Sequence, residues 1–319
     1  GFFDNAIGLL QGEIMSPKIF ELFIEDMELS LLDPTQNGLE FDEIVLMLIF
    51  FADDLIIFGK TPLELQHNLN KLHEYCCHWD LEVNCDKTKI VVFRKRGPLR
   101  ADKVWHYGNA HIYTVNDFNY LGTVFNYTGS FVLNQEFLAG KGLKALNSLI
   151  MNTRDLKLKP STMLQLFDSF VGSTLNYACE VWGNSKSKSL ESIHLKFCKT
   201  LLRVKRSTPS MAVYGDLGRY PLYINRYVRI IGYWLKLVNT DNILLEKMYS
   251  LLLTDNKQGH KNWVTGVKQL LDEYGFGYVW LYPLSVNQNN FCKVFKRRVI
   301  DCFIQKWHDE VNNCGVLCS

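Results

Sequence analysis

The fold is decided by residues 44–58, IVLMLIFFADDLIIF, an apolar stretch interrupted by two adjacent acidic residues. The runs at 44–51 and 55–58 are rich in β-branched and aromatic side chains, which favours strands. Between them lie Asp53 and Asp54, and an aspartate in a tight turn can accept hydrogen bonds from nearby backbone N–H groups. The stretch therefore predicts a β-hairpin that carries both carboxylates at its tip.

The same stretch is too short and too polar to be a transmembrane helix. Such a helix needs about 20 apolar residues, and each aspartate at the bilayer centre would cost roughly 2.5–3.5 kcal/mol. No other segment is as apolar. We therefore expect a soluble protein.

The composition indicates an intracellular globular protein, and the length of 319 residues suggests about two domains. Hydrophobic residues make up 47% of the chain and charged residues 21%, which provides for a core and argues against disorder. The net charge is only +2, so nucleic-acid binding has to rest on local basic patches. Nine cysteines without a signal peptide predict reduced thiols.

Hydrophobic periodicity and turn signals predict the other elements. In the first part of the chain they predict helices at 16–32 and 61–79, strands at 90–93 and 118–126, and a hairpin turn at 107–110. In the second part they predict helices at 134–153, 160–176, 189–204, 224–239, 242–252, 261–274 and 290–313. Strands with helices, followed by helices, predict the α+β class, with boundaries near residues 130 and 210.

The two carboxylates are the strongest chemical signal in the chain. Mg²⁺ prefers such hard oxygens and is bound by one or two carboxylates together with substrate phosphates. In nucleotidyl transfer, paired ions activate the attacking oxygen and stabilise the leaving one. Because successive strand residues point to opposite faces, we assign the main catalytic and metal-binding role to Asp53 and a supporting role to Asp54. The alternative is an ordinary solvated hairpin turn.

In this context FFADDLIIFGKT, at 50–61, resembles the reverse transcriptases of non-LTR (LINE-type) retrotransposons. Flanking segments are similar to other blocks of that family in the family's order, namely GLLQGEIMSPKIFELFIEDM (8–27), LEVNCDKTKIVVFRKRG (81–97), FNYLGTVFNYTGSF (118–131) and NYACEVWG (176–183). The resemblance covers residues 1 to about 210. It implies a partial palm at 1–130, a thumb-like helical domain at 131–210, and a helical C-terminal region of unknown role at 211–319.

The resemblance also implies an activity, partners and site residues. The activity would be RNA-directed DNA polymerase, with an RNA template, a DNA primer, dNTP and Mg²⁺. Asp53 and Asp54 would bind the metal ions. Gln11 and Gly12 match the loop against the incoming nucleotide and the templating base, although a simple loop before a helix is the alternative. A functional element of this kind would work in the nucleus.

Further residues inherit roles in the same way. Asn84 would brace a loop in which Lys87 and Lys89 lie near the departing pyrophosphate, and a solvated turn is the alternative. Leu121 and Gly122 would shape the primer grip, although Gly122 alone is also typical of a β-bulge.

One block of the family is not found in this sequence. The family's first catalytic block, with a further metal-binding aspartate, lies upstream of the Gln-Gly loop, which begins here at residue 8. We therefore expect a fragment with little or no polymerase activity by itself.

Two basic patches are candidates for contact with a nucleic-acid backbone, and solvated faces are the alternative. The first consists of Arg94, Lys95 and Arg96, and the second of Lys196, Lys199 and Arg203 on one face of the helix at 189–204. The cysteine and histidine clusters lack the paired spacing of zinc sites, so no structural zinc is expected. Two other functions remain open: a non-catalytic nucleic-acid-binding remnant, and an unrelated soluble helical interaction domain.

Overall fold

A computed structural model of the chain describes residues 12–31, 38–41, 44–95, 97–99 and 104–313. The chain forms two compact units, Gly1–Phe118 (unit 1) and Asn119–Ser319 (unit 2). Each unit has its own hydrophobic core. Helices together with small two-stranded sheets are compatible with the predicted α+β class.

Unit 1 combines short strands with three helices among its described residues. Its elements are α1 (Ser16–Phe23), α2 (Met27–Leu31), β1 (Leu39–Phe41), β2 (Ile44–Leu46), β3 (Leu48–Phe51), β4 (Asp54–Ile57), α3 (Pro62–His78), β5 (Ile90–Val91), β6 (Trp105–Tyr107), β7 (Ala110–Ile112) and β8 (Thr114–Val115). Strands β1–β2, β3–β4 and β6–β7 pair antiparallel, and β5 pairs with β8 in parallel. The core lies between α2, α3 and these strands, with Leu31, Leu72 and Trp105 almost fully buried.

The predicted hairpin at 44–58 is present, but the run at 44–51 forms two strands rather than one. Met47 separates β2 from β3, and β2 pairs with β1 while β3 pairs with β4. Met47 is itself apolar and buried. Residues 44–51 therefore form an uninterrupted apolar run in the sequence, and nothing in that run indicates the break between the two strands. The helix predicted at 16–32 is similarly divided between α1 and α2.

The start of α3 agrees with the sequence prediction. The Thr61 hydroxyl accepts a hydrogen bond from the Glu64 N–H at 3.2 Å. The Glu64 carboxylate accepts one from the Lys60 N–H at 2.8 Å, one residue earlier than in a standard capping box.

Unit 2 is almost entirely helical. A strand pair, β9 (Asp117–Tyr120) with β10 (Thr123–Asn126), crosses the boundary into it. Its helices are α4 (Val132–Thr153), α5 (Pro160–Leu166), α6 (Ser173–Leu175), α7 (Cys179–Trp182), α8 (Lys188–Leu202), α9 (Ser210–Leu217), α10 (Leu222–Val238), α11 (Ile243–Lys257), α12 (Trp263–Glu273), α13 (Gly277–Leu281) and α14 (Gln288–Asn313). A π-helical turn, Phe167–Gly172, joins α5 to α6, and a 3₁₀ turn, Pro283–Ser285, precedes α14.

Two of the elements predicted from the sequence differ from those observed in unit 2. The single strand predicted at 118–126 is the pair β9–β10, because Leu121 and Gly122 take positive φ values of 47° and 78° and reverse the chain. The helix predicted at 160–176 contains the π-helical turn. The parts at 131–210 and 211–319 share one hydrophobic core.

The buried interior of unit 2 includes an ionic network. The Arg226 side chain is fully buried, and its guanidinium donates to the Glu191 carboxylate at 2.8 Å. The same carboxylate accepts from the backbone N–H groups of Leu222 and Tyr223, so it caps the start of α10. This arrangement joins α8 to α10.

Among the described residues, no helix combines the length and the apolar character that crossing a bilayer would require.

Candidate functional site

The two carboxylates lie at the tip of the β3–β4 hairpin. Phe51 is paired with Asp54, so Ala52 and Asp53 form a two-residue turn. Both aspartates are exposed, and neither side chain makes a hydrogen bond or ion pair with another described residue. The turn thus presents two adjacent acceptor groups to solvent.

Ala52 has a backbone conformation that L-residues rarely adopt. Its φ is +53°, in the left-handed region that favours glycine. A strained residue of this kind costs on the order of 1–3 kcal/mol and persists only where its surroundings fix it. Its position beside the two carboxylates fits a turn whose shape matters for function.

The base of the hairpin is held by hydrogen bonds to its surroundings. The Phe58 N–H donates to the Met47 carbonyl at 2.8 Å. The buried Asn68 side chain on α3 donates to the Phe58 carbonyl at 3.0 Å. Lys60 forms an ion pair with Glu40 of β1 at 2.8 Å. Asn68 was not identified from the sequence, because its role depends on the packing of α3 against the hairpin.

The Gln-Gly loop is described only from Gly12 onward, and Gln11 lies outside the described residues. Gly12 is exposed with φ +92°, and a Cβ at this position would meet no atom within 4 Å. Backbone conformation, rather than space, is therefore what favours glycine at this position.

The loop between α3 and β5 is ordered by its own side chains. The Asn84 side chain accepts from the Lys87 N–H at 3.0 Å, and the Thr88 hydroxyl donates to the Asn84 carbonyl at 2.9 Å. The Lys87 side chain is exposed. The Lys89 ammonium donates to the Asp86 carbonyl at 2.6 Å, so it closes the loop. Of the two lysines, Lys87 is the freer to meet a phosphate.

The turn at Leu121 and Gly122 is held by a residue from the block at 176–183. The Tyr177 hydroxyl donates to the Leu121 carbonyl at 2.8 Å. The Tyr177 ring lies so close to Gly122 that a Cβ there would come within 3.2 Å of it. Asn134 of α4, fully buried, accepts from the Val124 N–H of β10 at 2.9 Å. The sequence placed Tyr177 in a family block but assigned it no role.

The two predicted basic patches are partly engaged in internal bonds. Arg94 donates to the carbonyls of Val92 and Gly97 and to the Asn116 side chain, so its guanidinium orders its own loop. Lys95 is exposed, and Arg96 lies outside the described residues.

The second patch also differs from the expected single helical face. Lys196 is exposed on α8, and the Lys199 ammonium donates to the Arg206 carbonyl at 2.6 Å. Arg203 lies beyond the end of α8 with φ +56°, so it does not continue that face. Helical periodicity could not predict this left-handed C-cap.

The cysteine and histidine clusters do not form a metal site in the described part of the chain, where no group of three or more candidate ligands comes together. His194 is fully buried against Phe167, and burial lowers its pKa to about 3. Burial raises the pKa of the neighbouring Cys198 thiol to about 12. Cys314 and Cys318 lie outside the described residues.

Charge is divided unequally between the two units. Unit 1 contains 10 Lys and Arg against 19 Asp and Glu, a net charge of −9. Unit 2 contains 25 against 14, a net charge of +11. The whole-chain value of +2 hides this asymmetry, which became visible only once the boundary between the units was known.

Comparison with known proteins gives consistent matches. The family described as "Reverse transcriptase (RNA-dependent DNA polymerase)" matches residues 2–125. A putative uncharacterized transposon-derived protein of Caenorhabditis elegans is 25% identical over 179 residues, which cover 56% of this chain and 63% of that protein.

Two Drosophila melanogaster proteins are also similar. The RNA-directed DNA polymerase from mobile element jockey is 22% identical over 215 residues, covering 62% of this chain and 22% of that protein. The retrovirus-related Pol polyprotein from type-2 retrotransposable element R2DM is 27% identical over 134 residues, covering 40% and 12%. The chain therefore spans less than two thirds of each of these relatives.

The exposed Asp53–Asp54 turn lies within the matched segment, and its flanking blocks occur in the order of the non-LTR family. This match argues against the alternative of an unrelated helical interaction domain for residues 2–125. Residues 2–125 match the reverse-transcriptase family, and the chain is similar to the polymerases of two mobile elements, jockey and R2DM, in agreement with the resemblance to non-LTR, LINE-type reverse transcriptases.

Proposed function

We propose that this chain supplies the metal-binding turn and part of the nucleic-acid-binding surface of an RNA-directed DNA polymerase. The observation that carries the proposal is the exposed pair Asp53 and Asp54 at the strained Ala52–Asp53 turn, within the segment that matches the reverse-transcriptase family. The names of the jockey and R2DM relatives support the same activity. The substrates would be dNTP, a DNA 3′-OH and an RNA template.

The donor set at the turn fits Mg²⁺. Asp53 and Asp54 offer hard carboxylate oxygens with no competing partner among the described residues. When bound, the metal would activate the attacking 3′-OH and stabilise the leaving pyrophosphate oxygen. The two aspartates would hold the ion, while the hairpin base, bonded through Asn68, keeps them in place.

Other residues would position the substrates. Gln11 and Gly12 would lie against the nucleotide, and Asn84 would fix the loop that presents Lys87 to a phosphate. The Leu121–Gly122 turn would support the primer end.

We also propose that the chain has little activity by itself. The described residues contain no third metal-ligating side chain beside the two aspartates. Two carboxylates without a third leave the metal charge under-compensated and its position poorly fixed, so the geometry for in-line attack would be lost.

The experiment combines primer extension with metal mapping. The chain is incubated with Mg²⁺, dNTP and a DNA primer annealed to an RNA template, and Fe²⁺ is used in parallel to cut the backbone by hydroxyl radicals near the metal. We expect cleavage around residues 50–58 and no incorporation. Asp53→Asn should abolish the cleavage, whereas Asp80→Asn, an exposed aspartate in unit 1, should leave it intact.

Two results would contradict the proposal in different ways. Cleavage that Asp53→Asn leaves unchanged would remove the metal-binding role of the turn. Incorporation that depends on Asp53 would establish the polymerase and overturn the expected inactivity.

A second candidate function is a nucleic-acid-binding remnant without chemistry, which the net charge of +11 on unit 2 favours. Binding of an RNA–DNA hybrid that weakens with salt, without metal-dependent cleavage at the turn, would support it.

Nuclear localisation is part of the first proposal, because the primer in such elements is chromosomal DNA. Imaging of a tagged chain would test this localisation.

A further inference from the structure

Unit 2 contains a groove between α12 and the segment that follows β10. Its volume is about 430 Å³, within the range of roughly 300–1,000 Å³ that is typical of ligand sites. Its lining includes Gly129 and Phe131 of that segment, Trp263 of α12 and the buried Trp182. The groove is partly open to solvent, neither an enclosed cavity nor a flat surface.

Three polar side chains in this groove have no internal partner. Asn184, Lys261 and Gln269 are exposed, and none of them makes a hydrogen bond or ion pair with another described residue. The other polar lining residues are engaged, since Asn262 and Thr265 bond to each other as the cap of α12. Two amides, which can both donate and accept, and one ammonium thus remain available to a ligand.

A glycine on α12 shapes the groove. A Cβ at Gly266 would come within 2.5 Å of the Asn184 amide nitrogen. Glycine is unfavourable inside a helix, so its presence in α12 is explained if Asn184 has to lie against the helix. The close approach holds the amide of Asn184 at the groove wall.

The surroundings indicate the chemistry of the ligand. Unit 2 has a net charge of +11, and Lys186, Lys188 and Lys268 are exposed close in sequence to the lining residues. An anionic ligand is therefore favoured. Phe131 and Trp263 are only partly buried, and aromatic side chains beside basic ones are typical of surfaces that stack unpaired bases.

We propose that this groove binds a single-stranded RNA segment, with Lys261 at a phosphate and with Asn184 and Gln269 at base edges. The inference rests on the proposed function insofar as the RNA would be the template or its flanking sequence. Single strands fit better than a duplex, because only unpaired bases can enter a groove and stack there.

The test measures binding of the full chain to a fluorescein-labelled mixed-sequence RNA of ten nucleotides by anisotropy, between 50 and 200 mM salt. We expect Lys261→Ala to weaken binding about threefold to tenfold and to lower the slope of log K against log salt by about 0.7, as for one lost phosphate contact on a single strand. The matched control is Lys306→Ala, which removes an exposed lysine from α14 where that helix contacts α9.

Gly266→Ala provides a second variant that removes no charge. Its methyl group would displace Asn184, so we expect binding to weaken several-fold with an unchanged salt slope. Alanine favours the helix, so a loss of folding is not expected, and hydrogen exchange of α12 would verify this. In the unmodified chain, RNA should protect the amides around 261–269 from exchange.

The outcomes separate this inference from the proposed function. RNA bound equally well by Lys261→Ala, Gly266→Ala and Lys306→Ala would overturn the groove and leave the polymerase proposal standing. Groove-dependent RNA binding without metal cleavage at Asp53 would support the groove and overturn the polymerase chemistry. No RNA binding by the unmodified chain at 50 mM salt would overturn the groove.

Discussion

The two units differ in how completely they bury their apolar side chains. In unit 2 the core side chains of Phe167, Leu175 and Trp234 are all 0% exposed, whereas the least exposed core side chains described in unit 1 are Ile112 at 1% and Leu31 at 2%. Unit 1 depends on two-stranded sheets, which are only marginally stable on their own, while unit 2 packs long helices around one core. The carboxylate turn therefore lies in the less deeply packed unit, and we expect unit 1 to unfold first in urea.

The largest expected effect is in the core of unit 2. Glu191→Ala should lower its free energy of unfolding by about 3–5 kcal/mol, because the buried Arg226 would lose its partner and α10 its cap. Five of the seven tryptophans lie in unit 2, so urea unfolding followed by fluorescence would measure it. Glu136→Ala, at an exposed glutamate on α4, should change the value by less than about 0.5 kcal/mol.

The next effect is a pH dependence that belongs to unit 2. His194 has a pKa of about 3 in the folded chain, lowered by burial and by Arg219, while Asp168 opposes the shift. Below a pH of about 6.5 the unfolded chain binds a proton that the folded chain excludes, so stability falls as the pH drops from about 6.5 towards 3, by at most about 1.4 kcal/mol per unit. His194→Phe should show a shallower loss, and equal slopes for both proteins would disprove this role.

Two glycines of α4 should respond in opposite directions. A Cβ at Gly142 would come within 2.3 Å of Leu175, so Gly142→Ala should destabilise unit 2 by about 1–3 kcal/mol. A Cβ at Gly140 would meet nothing within 4 Å, so Gly140→Ala should stabilise it by about 0.5–1 kcal/mol. Thermal unfolding of both variants would test this prediction. Shifts of the unfolding temperature in the same direction would contradict the observed packing of α4.

A smaller effect is expected at the β9–β10 turn. Tyr177→Phe removes the hydrogen bond to the Leu121 carbonyl and keeps the ring against Gly122, so the loss should be about 0.5–1.5 kcal/mol. Amide exchange should increase locally at residues 120–124, with little change in the α8 core. A global increase would show that Tyr177 supports the whole unit instead.

The smallest effect on stability is expected at the exposed apolar surface of unit 1. Leu22→Gln and Leu29→Gln should each change unfolding by less than about 0.5 kcal/mol but reduce self-association, because exposed apolar patches promote it. Light scattering of the unmodified chain and of the double variant would measure this. An unmodified chain that is already monodisperse would contradict the expectation.

Much of the helical part could be predicted from the sequence, since apolar residues at helical spacing mark α4, α8, α10, α12 and α14 closely. The division of 44–51 at Met47 could not, because strand pairing depends on residues distant in the chain. In the candidate site, the carboxylate turn was predicted from a local pattern. The internal bonds of Arg94 and Lys199, and the support of Leu121 by Tyr177, depend on tertiary contacts.

The helices, the Asp53–Asp54 turn and the similarity to reverse transcriptases could be predicted from the amino-acid sequence, because periodicity and short motifs are local properties of the chain. The folded structure was needed to show which charges remain free, where the basic unit begins, and that Asn184, Lys261 and Gln269 line one groove. Hydrogen-bond partners and burial are set by residues far apart in the chain, and these residues meet only when the two cores form.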